Sequence, residues 1–98
     1  MDRLERVRQM EATLDECHRT TEALSRQLDR MDGLKDAMTA LFRYYGSPEW
    51  YGDREAPLPE GVKAGVLSED LVYDEITAVR EAAIRMLELA TDILRDRL

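Results

Sequence analysis

The segment YYGSPEWYGD, residues 44 to 53, holds four of the six aromatic side chains of this 98-residue chain. Gly46 is typical of the end of a helix, because glycine adopts the left-handed conformation without strain. Ser47 and Pro48 are typical of a new helix, with a capping hydroxyl followed by proline in the first turn. The segment therefore predicts an elbow between two helices, with a short helix from about 48 to 53.

On the N-terminal side of this elbow (residues 44 to 53), apolar residues recur at alternating spacings of three and four. This spacing is that of a heptad seam, the apolar stripe of a coiled coil or amphipathic helix. Lys35 is the one position that departs from it. The positions that fit the heptad seam are Val7, Met10, Leu14, Cys17, Thr21, Leu24, Leu28, Met31, Met38, Phe42 and Tyr45.

Gly33 lies inside this seam and leaves two interpretations open. A glycine inside a helix costs about 1 kcal/mol relative to alanine, so the helix could end near Met31 and begin again near Leu34. The heptad seam, however, keeps its phase across Gly33, and a true turn has no reason to preserve that phase. We therefore favour one continuous helix over residues 3 to 45. The alternative is a three-helix bundle broken at Gly33.

The chain beyond the elbow predicts an irregular connection and then a second long helix. The stretch REAPLPEGVKAG, residues 54 to 65, contains two prolines and two glycines. Ser68 can cap the next helix, which we predict over residues 69 to 97. Its apolar face is wide enough to contact two or more neighbours. Two rows form that face: Val72, Ile76, Val79, Ala83, Met86, Ala90 and Ile93, and beside them Ala82, Leu87, Leu89 and Leu94.

These patterns predict an all-α fold and a single helical domain over residues 1 to 98. We expect a long antiparallel helical hairpin, formed by helices 3–45 and 69–97 and joined by a connection rich in proline and glycine. Two such hairpins would pair into a dimeric four-helix bundle, which would give the wide face of the second helix its additional neighbour.

Charge and composition exclude several classes of partner. The net charge is −7, and no Lys/Arg stripe is present that could displace counterions from a phosphate backbone. We therefore expect neither nucleic-acid binding nor binding to an anionic membrane. The start MDRLERVRQME lacks the apolar run of a signal peptide, and no stretch has the roughly 20 apolar residues of a membrane span. These features predict a cytoplasmic protein.

The sequence offers little catalytic chemistry. His18 is the only histidine, and its neighbour Cys17, the only cysteine, points to a different side of a helix. No metal-binding motif, phosphate loop or activated nucleophile is recognisable. We therefore predict no cofactor and no bound metal, and a protein that is not an enzyme.

The elbow is the best candidate for a site, and two interpretations stay open. Tyr and Trp on a surface are common anchors of protein interfaces. Large rings can equally close the open end of a helical bundle, where the chain reverses. The candidate interaction surface comprises Tyr44, Tyr45, Trp50, Tyr51, Asp53, Glu69 and Asp70.

The strings YYGSPEW and GVLSED, with ERVRQME near the start and LATDIL near the end, resemble a family of short bacterial proteins known as a domain of unknown function. The likeness spans nearly the whole chain. It implies an all-helical bacterial protein. It brings no activity, cofactor or assigned site, so it assigns a role to no residue here.

Two functions follow as hypotheses. The first is a non-enzymatic helical interaction module, homodimeric, which contacts an unidentified protein partner through segments 44–53 and 65–70. The alternative is a small-ligand-binding or enzyme-like protein, with a pocket formed by the same two segments. A helix N-terminus at residue 69 could hold an anion in such a pocket.

Overall fold

The computed structural model of the chain describes residues 2 to 96 and contains no strand within them. Four helical elements follow one another along the chain. They are α1 (Arg3–Tyr44), α2 (Pro48–Glu55), a short 3-10 helix (Gly65–Leu67) and α3 (Glu69–Arg95). The all-α prediction is confirmed. The order of a long helix, a connection containing prolines and glycines, and a second long helix fits the predicted helical hairpin.

Helix α1 is continuous through Gly33, so the alternative of a bundle broken at that residue is wrong. The helix begins where Asp2 Oδ1 accepts a hydrogen bond of 2.8 Å from the Glu5 backbone N–H. It ends one residue before the predicted boundary. Gly46 has φ of +78°, a left-handed conformation that terminates the helix as the sequence predicts.

Helix α2 is two residues longer than the predicted short helix, because it reaches Glu55 instead of residue 53. Its end is set by Pro57. Ala56 precedes that proline and is extended, with φ −89° and ψ 134°, since the proline ring disfavours a helical conformation in the residue before it. The helix therefore runs as far as the proline permits.

Helix α3 begins after Ser68, whose hydroxyl accepts a hydrogen bond of 3.5 Å from the Leu71 backbone N–H. The 3-10 helix just before it was not predicted from the sequence. A methyl group on Gly65 would lie 3.2 Å from Leu71 Cδ1, so glycine lets this turn approach the start of α3 closely. The described part of α3 ends at Arg95, and the predicted end at residue 97 lies outside the described residues.

The described residues fall into two structural units that divide between Met38 and Thr39. The first unit is the N-terminal part of α1, and no residue of α1 is buried. The second unit contains the elbow, the connection and α3. Trp50 and Val72 are the buried residues in the described part of the chain, and both belong to the second unit. The single domain over residues 1 to 98 stays a prediction.

Candidate functional site

Trp50 is the centre of the elbow. Its side chain is 2% exposed. The indole Nε1–H donates a hydrogen bond of 2.9 Å to the backbone carbonyl of Val66, which satisfies the one polar group of the ring. The ring of Tyr45 meets the indole edge-on, with centroids 5.0 Å apart, and the guanidinium of Arg54 lies 4.5 Å above the indole. Trp50 therefore fills the interior of the elbow.

Two polar contacts tie the elbow to the first residue of α3. The Tyr45 hydroxyl donates a hydrogen bond of 2.9 Å to the Glu69 carbonyl oxygen. The Arg54 guanidinium forms an ion pair with the Glu69 carboxylate, with Nη1 and Oε1 3.1 Å apart. Arg54 therefore lies between the Trp50 ring and the Glu69 carboxylate. Because the ion pair is exposed to solvent, it contributes less than about 1 kcal/mol to stability.

Local sequence explains how α2 carries Trp50 inward. The Ser47 hydroxyl accepts a hydrogen bond of 3.2 Å from the Trp50 backbone N–H, as a capping residue does. Pro48 occupies the first turn, where its missing N–H is not required. Tyr51, the next residue, is 55% exposed, and its ring and the indole pack in an edge-to-face arrangement. Of these two successive residues, Trp50 is therefore buried and Tyr51 is exposed.

Tyr44 and Asp53 form a hydrogen-bonded pair on the other side of the elbow. The Tyr44 hydroxyl donates to Asp53 Oδ2 over 2.6 Å. This hydrogen bond to the carboxylate raises the pKa of Tyr44 above 10.0, and the nearby charges of Asp53 and Glu49 raise it further. Tyr44 therefore stays neutral near physiological pH and acts as a donor.

The seven residues of the candidate interaction surface take different positions in the structure. Tyr45 contacts both the indole of Trp50 and the backbone carbonyl of Glu69. Tyr44 and Asp53 pair with each other, and Asp70 lies exposed in the first turn of α3. Tyr51 keeps most of its ring open to solvent. The burial of Trp50 favours its interpretation as a plug, and the role of the other six residues in binding stays a prediction.

A cleft of about 280 Å³ opens beside the Tyr44–Asp53 pair. The wall of the cleft opposite this pair was not predicted from the sequence. The sequence did contain a signal for this wall. Leu58 and Val62 are apolar residues in a loop rich in proline and glycine, so they do not belong to the apolar face of a helix. The residues that line the cleft are Tyr44, Asp53, Ala56, Leu58, Val62, Lys63, Ala64, Val66 and Leu67.

Residues 2 to 96 contain neither a metal-binding cluster nor a helix able to cross a membrane. Within that range, no group of three or more His, Cys, Asp or Glu side chains is arranged to hold a metal ion. Of the helices in the same range, none is long and apolar enough to cross a membrane.

Comparison with protein families matches residues 7–89 to the family described as a domain of unknown function, DUF4298. The matched range includes all of α2 and the elbow, and most of α1 and α3. No curated protein and no solved structure matches the chain. The resemblance noted in the strings YYGSPEW and GVLSED is confirmed at the level of a domain of unknown function. Because the match covers most of its length, the chain belongs to the DUF4298 family.

Proposed function

We propose that this protein is a non-enzymatic helical interaction module that forms a homodimer. One observation carries the proposal: the heptad seam of α1 is apolar and, between residues 3 and 30, exposed. Its exposed large apolar members are Val7, Met10, Leu14, Leu24 and Leu28, with Leu4 and Leu34 beside them.

A helix with such a seam needs a neighbour for two physical reasons. Helical stability in proteins comes mostly from packing of an apolar face, because isolated helices are marginal in water. Moreover, fully burying a leucine side chain contributes about 1.5–3 kcal/mol relative to leaving it exposed. Residues 3–38 form a single helical segment, and a single helix cannot cover its own apolar stripe.

Helix α3 presents a second uncovered apolar surface. Leu87 and Leu94 are each 70% exposed, and Ile84, Leu89 and Ile93 are also exposed. Two long helices with uncovered apolar faces suit pairing with a second copy, because the same patches then cover each other about a twofold axis. The predicted four-helix dimer would use both faces.

Light scattering at micromolar concentration tests the homodimer. We expect a mass of twice the 11.3 kDa of one chain. The pair of substitutions Leu14→Asp and Leu28→Asp should give the monomer mass, because it places charge in the heptad seam. Ala12→Asp and Ala23→Asp add the same charge on other sides of α1 and should leave the dimer intact. A wild-type mass of 11.3 kDa would overturn the proposal.

The second part of the proposal is that segments 44–53 and 65–70 contact another protein. Exposure of Tyr51 supports it, because an open tyrosine beside a rigid, well-packed core is a suitable interface anchor. Tyr51→Ala should preserve the fold and weaken capture of a partner by affinity purification. Unchanged capture would remove Tyr51 from the interface.

The cleft beside Tyr44 and Asp53 favours the small-ligand alternative as a second candidate. Its volume is slightly below the range of about 300–1,000 Å³ usual for small-molecule pockets. Of the residues in segments 44–53 and 65–70 expected to form a pocket, Trp50 is instead packed inside the elbow, while Tyr44 and Asp53 line the cleft. A fragment screen by ligand-observed NMR tests this candidate, and fragments whose binding survives Asp53→Asn and Leu58→Ser would count against it.

We also propose a bacterial cytoplasmic location. The resemblance to a family of short bacterial proteins supports the bacterial part of this proposal. Cell fractionation of a bacterial host expressing the chain from its own gene would test it, and recovery in the membrane fraction would contradict it.

A further inference from the structure

The cleft beside Tyr44 and Asp53 has a wall that is unusually apolar for an irregular loop. Leu58 is 45% exposed, Val62 is 50% exposed and Val66 is 38% exposed. All three line the same cleft, together with the small residues Ala56 and Ala64. An apolar group of another molecule could therefore pack against these three side chains.

The cleft lies in the most acidic part of the chain. Residues 44 to 75 contain eight Asp and Glu residues against two Lys and Arg, so this acidic segment carries a net charge of −6 of the total −7. One of its two cations, Arg54, is engaged with the Trp50 ring and the Glu69 carboxylate. The other, Lys63, lines the cleft. An occupant that meets this surface therefore gains from positive charge.

One carboxylate oxygen of the cleft is positioned to accept from an occupant. Asp53 Oδ2 accepts from the Tyr44 hydroxyl, and no hydrogen bond among the described residues uses Oδ1. Glu49 lies one helical turn before Asp53 on α2 and acts electrostatically on the same phenol. The cleft thus combines apolar walls with a fixed acceptor on its acidic side.

We propose that this cleft binds a peptide segment of another protein that carries Arg or Lys next to a large apolar residue. The apolar side chain packs against Leu58, Val62 and Val66, and a basic side chain donates to Asp53. This inference rests on the proposed role as an interaction module and names the chemistry of the partner.

A second copy of the chain is a poorer occupant of this cleft. A twofold contact between two clefts would bring the two acidic segments together, and like charges across an interface oppose association. Outside the acidic segment the chain is close to neutral, since residues 1–43 carry a net charge of −1 and residues 76–98 of zero. A different protein with a strongly basic segment therefore suits the cleft better than a second copy does.

A selection from a displayed library of random 12-residue peptides tests the proposal with the full chain as bait. Enriched peptides should be net positive and contain at least one large apolar residue. Lack of enrichment, or enrichment of neutral or acidic peptides, would overturn the proposal.

Fluorescence anisotropy with a labelled consensus peptide then tests the site at low salt. Leu58→Ser should weaken binding about tenfold through lost apolar contact. Asp53→Asn, which can still accept from Tyr44, should weaken it about two- to fivefold, and Lys63→Gln should strengthen it by a similar factor. Unchanged affinity in both Leu58→Ser and Asp53→Asn, or weaker binding in Lys63→Gln, would contradict the site.

A matched control separates this inference from the homodimer. Leu28 in the heptad seam is 44% exposed, close to the 45% of Leu58. Leu28→Ser should weaken the dimer measured by light scattering and leave peptide affinity unchanged, whereas Leu58→Ser should do the reverse. If Leu58→Ser instead lowers the mass in light scattering, the second copy covers the cleft and the inference fails. A monomeric wild type that still binds the peptide would overturn the homodimer alone.

Discussion

The N-terminal part of α1 and the elbow both contain large apolar or aromatic side chains, but of these two regions only the elbow buries one of its residues. Residues 3 to 38 include seven large apolar side chains that are exposed. The elbow instead surrounds Trp50 until 2% of it is exposed, using Tyr45, Arg54 and the carbonyl of Val66. The difference follows from chain reversal, because a turn brings new neighbours to a side chain and a straight helix does not.

This comparison divides the apolar residues of the protein into two classes. Those of the elbow and the start of α3, such as Trp50 and Val72, are covered by the chain itself. Those of the heptad seam between residues 3 and 30 are exposed. In the proposed homodimer the two classes should respond differently to mutation, because the first class stabilises the folded chain and the second class would stabilise association.

The largest expected effect belongs to Trp50. Trp50→Ala should lower the free energy of unfolding of the elbow by about 3–5 kcal/mol, because it leaves a cavity and an unpaired carbonyl at Val66. Urea unfolding followed by near-ultraviolet circular dichroism measures this loss. Tyr51→Ala is the control and should cost about 1 kcal/mol or less, since its ring is mostly exposed. Equal losses in the two variants would mean that Trp50 is not the plug.

Two glycines sharpen the comparison because alanine should have opposite effects at them. Gly46→Ala should destabilise the elbow by about 1–2 kcal/mol, because φ of +78° is strained for a residue with a Cβ. Gly33→Ala should stabilise α1 by about 1 kcal/mol, since Gly33 is inside the helix and a Cβ there meets no neighbour within 4 Å. Thermal unfolding followed by circular dichroism measures both. A destabilising Gly33→Ala would contradict the continuous helix.

The helix caps should have smaller effects. Ser68→Ala should reduce stability by about 1 kcal/mol, because the Leu71 backbone N–H loses its acceptor. Ser47→Ala should reduce stability by a similar amount, because the Trp50 backbone N–H loses its acceptor. Urea unfolding compares both variants with Ser25→Ala, an exposed mid-helix position in α1 where alanine favours the helix. If Ser68→Ala were as stable as Ser25→Ala, the cap would contribute nothing.

The smallest effect concerns the titration of Tyr44. Because the folded-state pKa of Tyr44 is raised above 10.0, the stability from its bond to Asp53 is fully present below about pH 10 and is lost as pH rises through the raised pKa. The phenolate absorbance of Tyr44 should therefore appear at higher pH than in Asp53→Asn. Subtracting the titration of Tyr44→Phe isolates this signal. A Tyr44 titration identical in both backgrounds would contradict the pairing.

The helical elements could be predicted from the sequence because their signals are local. The heptad seam, the stop at Gly46 and the caps at Ser47 and Ser68 each depend on neighbouring residues. The phase of the seam across Gly33 also sufficed to predict a continuous α1. The predicted end of α2 came two residues too early, although Pro57 in the sequence explains where the helix ends.

The site was harder to predict because its contacts join residues distant along the chain. The bond from Trp50 to the Val66 carbonyl spans 16 residues, and that from Tyr45 to Glu69 spans 24. No spacing rule predicts which loop carbonyl an indole will meet. The cleft wall at Leu58 and Val62 was missed for the same reason, since a loop path in three dimensions leaves no periodic pattern.

Amide hydrogen exchange at increasing protein concentration tests the central claim most directly, because it measures each region separately. We expect exchange in residues 3–38 to slow as concentration rises through the range of dimer formation, since the proposed homodimer covers the heptad seam with a second copy. Exchange of the Trp50 and Val66 amides should not change with concentration. Exchange in residues 3–38 that is equally slow at every concentration, or equally fast, would contradict the account.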